Sequence, residues 1–159
     1  MAVVVRRATK SDAGKIAEFS VALAEQHYGY DPIRFTRLIT KDGAEAFYGG
    51  RVEAESAALF VAEIDDRVIG FAYMEYEPTL YAELATKVGW LHDIYVEPDA
   101  QGSGAGKALI EAVKDEAKRQ GANKVLISVS VMNKNGRKFF EHNGFRTTMH
   151  EMMLAIEKE

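Results

Sequence analysis

The feature that most constrains this chain is the hexapeptide Gln101-Gly102-Ser103-Gly104-Ala105-Gly106. It lies between a strand-like run, Trp90 to Val96, and a helical pattern that starts at once with Lys107-Ala108-Leu109-Ile110. A strand that ends in a glycine loop and restarts as a helix turns backbone N–H groups toward one point, with the positive end of the helix dipole behind them. Glycine lets an anion come close to that backbone, where a Cβ would hold it off. The segment therefore predicts an α/β fold with a phosphate or pyrophosphate site. The same letters also suit a ligand-free turn before a helix.

Spacing narrows the ligand. A Walker A loop requires Gly, four residues, then Gly-Lys-Ser/Thr. Counting back from Gly106-Lys107, the first glycine position holds Gln101, and Ala108 stands where a magnesium-binding hydroxyl belongs. A dinucleotide fingerprint, G-x-G-x-x-G, starting at Gly102 would put its third glycine on Lys107. Both patterns fail. What remains is Q-x-x-G-x-G, carried by Gln101, Gly104 and Gly106.

The 159 residues suit one domain, read as 1–159, and 47% hydrophobic residues are enough for a core. With no cysteine, disulfides and thiolate chemistry are excluded. The apolar start, Met1 to Val5, is too short for a signal peptide, and no run approaches a membrane span. A cytoplasmic location without membrane association is the expectation. A net charge of -4 argues against a nucleic-acid partner.

Patterning predicts strands at Val3–Arg7, Leu59–Ile64, Val68–Tyr76, Val88–Val96 and Val125–Val131, with two more at 145–148 and 151–156. Pro78 is expected to end the third pairing. Ser11 and Asp12 offer an N-cap ahead of Ile16, Phe19 and Leu23. A second short helix is expected after Asp31-Pro32, with Phe35, Leu38 and Ile39 on one face. Residues 41–56 stay ambiguous. Gly104–Gln120 is the strongest helix, closed by Gly121, with Asp115 and Arg119 as an outer i,i+4 pair. A last helix spans about 135–142.

Four blocks, Val68–Ala72, Leu91–Pro98, Gln101–Gly106 and Asn133–Phe145, together resemble the GCN5-related N-acetyltransferase (GNAT) superfamily. Their spacing is closest to diamine (spermidine/spermine-type) and thialysine acetyltransferases. The resemblance implies a mixed, mostly antiparallel sheet of six to seven strands, splayed at the centre and flanked by about four helices. It implies acetyl-CoA as cosubstrate, no metal, and transfer of an acetyl group to a primary amine of a small molecule such as a polyamine, amino acid or aminoglycoside. A protein lysine or N-terminus as acceptor, and a non-catalytic acyl-CoA-binding module, stay open. Dimers are common in the family, which leaves a homodimer open too.

Carried over by position, the resemblance assigns cofactor contact to Ile94, Tyr95 and Val96 of the central strand, and to Gln101, Gly102, Ser103, Gly104, Ala105, Gly106 and Lys107. Asn133 and Phe140 join them in the C-terminal block. The N–H near Ile94 would polarise the thioester carbonyl, and Asn133 could equally cap the following helix. Strand alternation puts His92 on the face of Ile94 and Asp93 on the other. The resemblance implies a base at this point of the central strand, where diamine acetyltransferases carry a glutamate and this chain has His92, and a histidine can serve. Asp93 is the rival base or else an anchor for a loop or helix, a water chain stays open, and a histidine merely hydrogen-bonded in the strand is the competing reading. Phe140 stands where the family often has a tyrosine acid, and it cannot donate a proton; water or Tyr95 could instead. Tyr28, Asp31 and Glu75 are candidate acceptor contacts, because aromatic rings and carboxylates suit a cationic amine. A surface loop with packed tyrosines and solvated carboxylates is the competing reading.

Overall fold

The computed structural model describes residues 2–157. Five strands form one sheet in the order β1-β2-β3-β4-β5: β1 Val3–Arg7, β2 Ala57–Ile64, β3 Arg67–Leu80, β4 Ala85–Val96 and β5 Lys124–Leu126. The first four are antiparallel neighbours, and β5 runs parallel to β4. Four helices flank the sheet: α1 Ala13–Tyr30, α2 Lys41–Arg51, α3 Ala105–Gln120 and α4 Lys134–His142.

The sheet buries both faces. On one, Met74, Leu91 and Ala72 pack against Leu109, Ile110 and Val113 of α3. On the other, Phe71, Val61 and Tyr73 pack against Ile16 and Phe19 of α1 and Tyr48 of α2. The α3 stripe explains its placement: Ala105, Leu109, Val113 and Ala117 recur at helical spacing and are all buried. Its end is closed by Gly121, φ 105°, with the Ala122 N–H reaching back to the Ala117 carbonyl at 2.9 Å. Arg119 pairs with Glu116 in place of Asp115.

The expected helix after Asp31-Pro32 is absent. Asp31 instead caps a turn, its Oδ1 accepting from the N–H groups of Ile33 (3.1 Å) and Arg34 (3.2 Å). The helix forms in the ambiguous stretch that follows, where Thr40 accepts from the Gly43 N–H at 3.1 Å and starts α2. Pro78 does not end β3. It falls at an unpaired step between the Glu77–Val88 and Thr79–Thr86 pairs, opposite Lys87 at φ 55°, so no ladder bond is lost. Among the described residues the sheet has five strands, fewer than the six to seven expected. β5 pairs over three residues only, and 145–148 and 151–156 pair with nothing among the described residues.

Close approach of α3 to β4 depends on Gly89, where an added Cβ would lie 2.8 Å from the Ala117 Cβ and 3.4 Å from the Met74 sulfur. Gly89→Ala is expected to cost about 1–3 kcal/mol by overpacking. Gly50→Ala in α2, where a Cβ meets nothing within 4 Å, is expected to gain about 0.5–1 kcal/mol. Denaturant unfolding of both variants checks the opposite signs.

Candidate active site

The site is built where β4 loses one neighbour. β5 pairs with β4 only from Val88–Lys124 to Trp90–Leu126, while β4 runs on to Val96, paired with β3 alone. From Leu91 onward, the edge of β4 that faced β5 is open. Successive residues of an extended strand turn their N–H and C=O groups to opposite edges, so Ile94–Val96 presents unpaired backbone to this gap. The side chains of Ile94 and Val96 pack toward the α3 face. The backbone of these residues is thus unpaired on that edge among the described residues.

At the end of the gap, a short 3-10 turn at Pro98–Ala100 leads into the glycine loop. Gly102 (φ 84°) and Gly104 (φ 91°) take the left-handed backbone that favours glycine, and a Cβ at either would meet no atom within 4 Å. The space above them is open. Ser103 Oγ accepts from the Ala105 N–H at 3.3 Å, and the first helical bond runs from the Ala108 N–H to the Gly104 carbonyl at 3.0 Å. The N–H groups of Gly104, Gly106 and Lys107 have no protein partner among the described residues. Together they form a cradle for an anion at the helix dipole's positive end. Gly106 has a second role: a Cβ there would lie 2.9 Å from the Phe139 ring. Its absence lets α4 close on the first turn of α3.

Asn133 caps α4, its Oδ1 accepting from the Gly136 N–H at 2.9 Å, so the capping alternative is realised. Phe140 is 7% exposed and packs edge-on against Phe139 and Phe145. Tyr95 lies on the opposite face of the sheet, 5.2 Å from the Phe19 ring. It therefore does not stand beside Phe140.

Strand alternation fails at one residue. Tyr73 pairs with Asp93 but Met74 pairs with Leu91, so His92 is an extra residue in β4, a β-bulge. The bulge puts Leu91 on the α3 face with Ile94. His92 moves to the α1–α2 face, where its ring stacks on Tyr73 at 5.1 Å and tilts toward Trp90 at 6.2 Å. The expectation that His92 shares a face with Ile94 is thereby corrected. Desolvation by the surrounding protein pushes the His92 pKa down, and the nearby Asp93 and Glu75 oppose that shift. Asp93 anchors a helix, accepting from the Tyr48 hydroxyl of α2 at 2.7 Å. Burial raises its pKa, against the pull of that hydrogen bond.

Glu75 is not a free carboxylate at the mouth. Arg51 and Tyr73 (2.5 Å) both donate to its Oε1, and Ser56 Oγ donates to Oε2 at 2.9 Å. Burial works against its ionisation, yet these donors hold its pKa below the usual carboxylate range. Tyr28 carries the Arg37 guanidinium 4.1 Å over its ring, and Asp31 is committed to its turn. The structure instead joins Tyr48, Tyr73, His92, Asp93, Glu75 and Arg51 in one polar cluster between α2 and the β3–β4 pair. Sequence reading missed Tyr48 and Arg51 because α2 itself was not legible. The Thr40-to-Gly43 cap and the Ala44–Tyr48 spacing were the available signals.

An open glycine loop at the foot of a helix lies beside a strand with one free edge. Residues 17–145 match the acetyltransferase (GNAT) family, and the chain belongs to it. The chain is 30% identical over 141 residues to an uncharacterized N-acetyltransferase of Bacillus subtilis, covering 89% of this chain and 88% of the relative. It is 29% identical over 98 residues to glucosamine 6-phosphate N-acetyltransferase of Trypanosoma brucei brucei, covering 62% and 64%. Its fold matches that of the aminoglycoside N-acetyltransferase AAC(6')-Iy solved with CoA, with TM-score 0.78 at 21% identity over 97% of this chain and 94% of the other. The protein is an N-acetyltransferase. Among the described residues, no helix is long and apolar enough to cross a membrane.

The Arg51–Glu75 pair gives a stability test. Arg51→Met leaves the Glu75 carboxylate buried without its cation and is expected to cost roughly 3 kcal/mol at neutral pH. The loss is expected to shrink as pH falls through the carboxylate range, because Glu75 then protonates. Urea unfolding at pH 7 and pH 4 measures both.

Proposed function

We propose that this protein transfers the acetyl group of acetyl-CoA directly to a primary amine of a small molecule. The observation that carries the reading is the open glycine cradle at the start of α3, next to the unpaired edge of β4. Gly102, Gly104 and the free N–H groups suit a pyrophosphate, and the backbone of Ile94–Val96 suits an extended amide-bearing arm. Gln101, Ser103, Ala105, Gly106 and Lys107 complete the cradle. Asn133 and the Phe139–Phe140 pair border it from α4.

An alkylamine arrives protonated, with a pKa near 10, and must lose a proton before it attacks. His92 is the candidate acceptor of that proton. Its lowered pKa keeps the imidazole neutral at pH 7, and a positioned base contributes roughly 10²–10⁴-fold. The amine nitrogen then bonds to the acetyl carbon as the carbon–sulfur bond breaks, giving an amide and a thiol. The N–H near Ile94 stabilises the charge on the carbonyl oxygen. Phe140 offers no proton, so water protonates the leaving thiolate. A thiol pKa of about 8.5 makes that feasible.

Free-thiol release from acetyl-CoA across a panel of polyamines, amino acids and aminoglycosides tests the reading; a folded protein that turns over none of them fails it. Gly104→Asp and Gly104→Asn share the backbone strain of a side chain at φ 91°. Only the aspartate places a negative charge in the cradle. The aspartate variant is expected to bind CoA at least ~10-fold more weakly than the asparagine variant, by calorimetry.

His92→Gln is expected to lower kcat by about 10²-fold or more and to abolish the acid limb of its pH profile. In the wild type that limb is expected below the ordinary histidine range, because only the neutral imidazole accepts a proton and desolvation by the surrounding protein lowers its pKa. An unchanged rate and profile would return His92 to a packing role.

A further inference from the structure

The bulge that carries His92 takes the residue out of the β3–β4 ladder, and a bulge re-aims the side chain it bears. A base acts only in a defined orientation, and a third group hydrogen-bonded to its second nitrogen usually sets that orientation. His27 shows such a bond, its Nδ1 lying 2.8 Å from the Leu23 carbonyl. Neither ring nitrogen of His92 has a protein partner of this kind among the described residues. What holds the His92 ring is flat contact. Tyr73 stacks on it at 5.1 Å with 22° between the planes, and Trp90 flanks it at 6.2 Å and 52°.

Tyr73 is itself clamped. The strand fixes one end of its ring. At the other end its hydroxyl donates to Glu75 Oε1 at 2.5 Å. Arg51 of α2 donates to the same oxygen, and Ser56 Oγ donates to Oε2 at 2.9 Å. Tyr48 and Phe47, also from α2, meet the ring edge-on at 5.7 Å and 5.8 Å. Tyr73 is 5% and Glu75 8% exposed.

A phenylalanine over a leucine would fill this space without a carboxylate to desolvate, and a buried ion pair adds little net stability. A buried network whose donors and acceptors are all matched does something else: it fixes one geometry. Here the geometry it fixes is that of the ring on which His92 lies. The two nitrogens of His92 stay open for an amine and for water because the ring is held by its face.

We propose that Tyr73 is a positioning residue for the acetyl transfer: its ring, anchored through Glu75 to Arg51, holds the His92 imidazole in one orientation toward the acceptor amine. The inference rests on His92 being the base. It ties α2 to the reaction through three side chains, none of which needs to touch the substrate.

Tyr73→Leu deletes the stacked ring, and Tyr73→Phe keeps the ring but deletes its anchor. A misplacement of about 1 Å can cost roughly 10²-fold in rate. Tyr73→Leu is therefore expected to lower kcat about 10-fold or more, with the amine KM within about 3-fold of wild type. Proton NMR reads the orientation directly. The His92 ring protons are assigned among the four histidines by the signals lost in His92→Gln. In the wild type they are expected upfield of free imidazole, shielded by the Tyr73 ring, and in Tyr73→Leu they are expected to move back toward it. Shifts that do not move, or a kcat that does not fall, overturn the proposal. If circular dichroism shows the leucine variant unfolded, Tyr73→Phe decides: a kcat about 3-fold lower is expected from the lost anchor, and a wild-type kcat overturns it. The shifts are read without turnover. A protein that acetylates no amine fails the acetyl-transfer reading, while the shifts still decide whether Tyr73 holds His92.

Discussion

Everything in this molecule turns on β4 having two neighbours at its start and one at its end. Over Val88–Trp90 it is hydrogen-bonded on both edges, and beyond Trp90 only β3 holds it. Because β3 pairs with β4 almost from end to end, the strand stays extended after β5 has parted from it. Cores on both faces keep it in place, with α3 on one side and α1 and α2 on the other. The helix dipole arrives at the open end because α3 packs tightly along β4, through Gly89 and Ala117. An unpaired edge and an anion cradle then lie side by side.

The polar cluster on the α1–α2 face carries charge where the core would otherwise be apolar. Buried ion pairs of this kind contribute little net stability but cost a great deal when half-removed. Glu75 and Asp12 are held below the usual carboxylate range. Arg51, Tyr73 and Ser56 act on Glu75, and Arg6 with the Thr9 N–H acts on Asp12. Their contribution is present above the ordinary carboxylate pKa and is lost as acid protonates them. Asp93 has the opposite sign, since burial raises its pKa and ionising it weakens the fold. The site side of the sheet is thus electrostatically loaded, and His92 sits among those loads.

Legibility in the sequence followed the range of the interactions. The loop and α3 were read nearly residue for residue, because glycine positions, the apolar stripe and the closing Gly121 are local signals. β1 through β4 were placed well, although β3 runs past Pro78 by setting it opposite Lys87 at an unpaired step. α2 was invisible because glycines at 43, 49 and 50 weaken its propensity, and packing of Ala44 and Tyr48 overrides them. The helix expected after Pro32 gave way to a turn built by Asp31. Alternation put His92 on the wrong face because one inserted residue reverses every inference beyond it. The partners of Glu75, Tyr28 and Asp31 were not legible either: Arg51 and Ser56 for Glu75, Arg37 for Tyr28 and a local turn for Asp31 Oδ1.

The sequence by itself determined the anion cradle, the helix behind it, the family and the class of reaction, because each is written in residues adjacent along the chain. Only the tertiary structure decided which face His92 occupies, that Tyr48 and Arg51 belong beside it, and that 146–156 and 127–129 are left without strand partners. Those outcomes depend on which strand pairs with which and in what register. Hydrogen bonds between distant segments set that, and no short stretch of sequence contains both ends of such a bond.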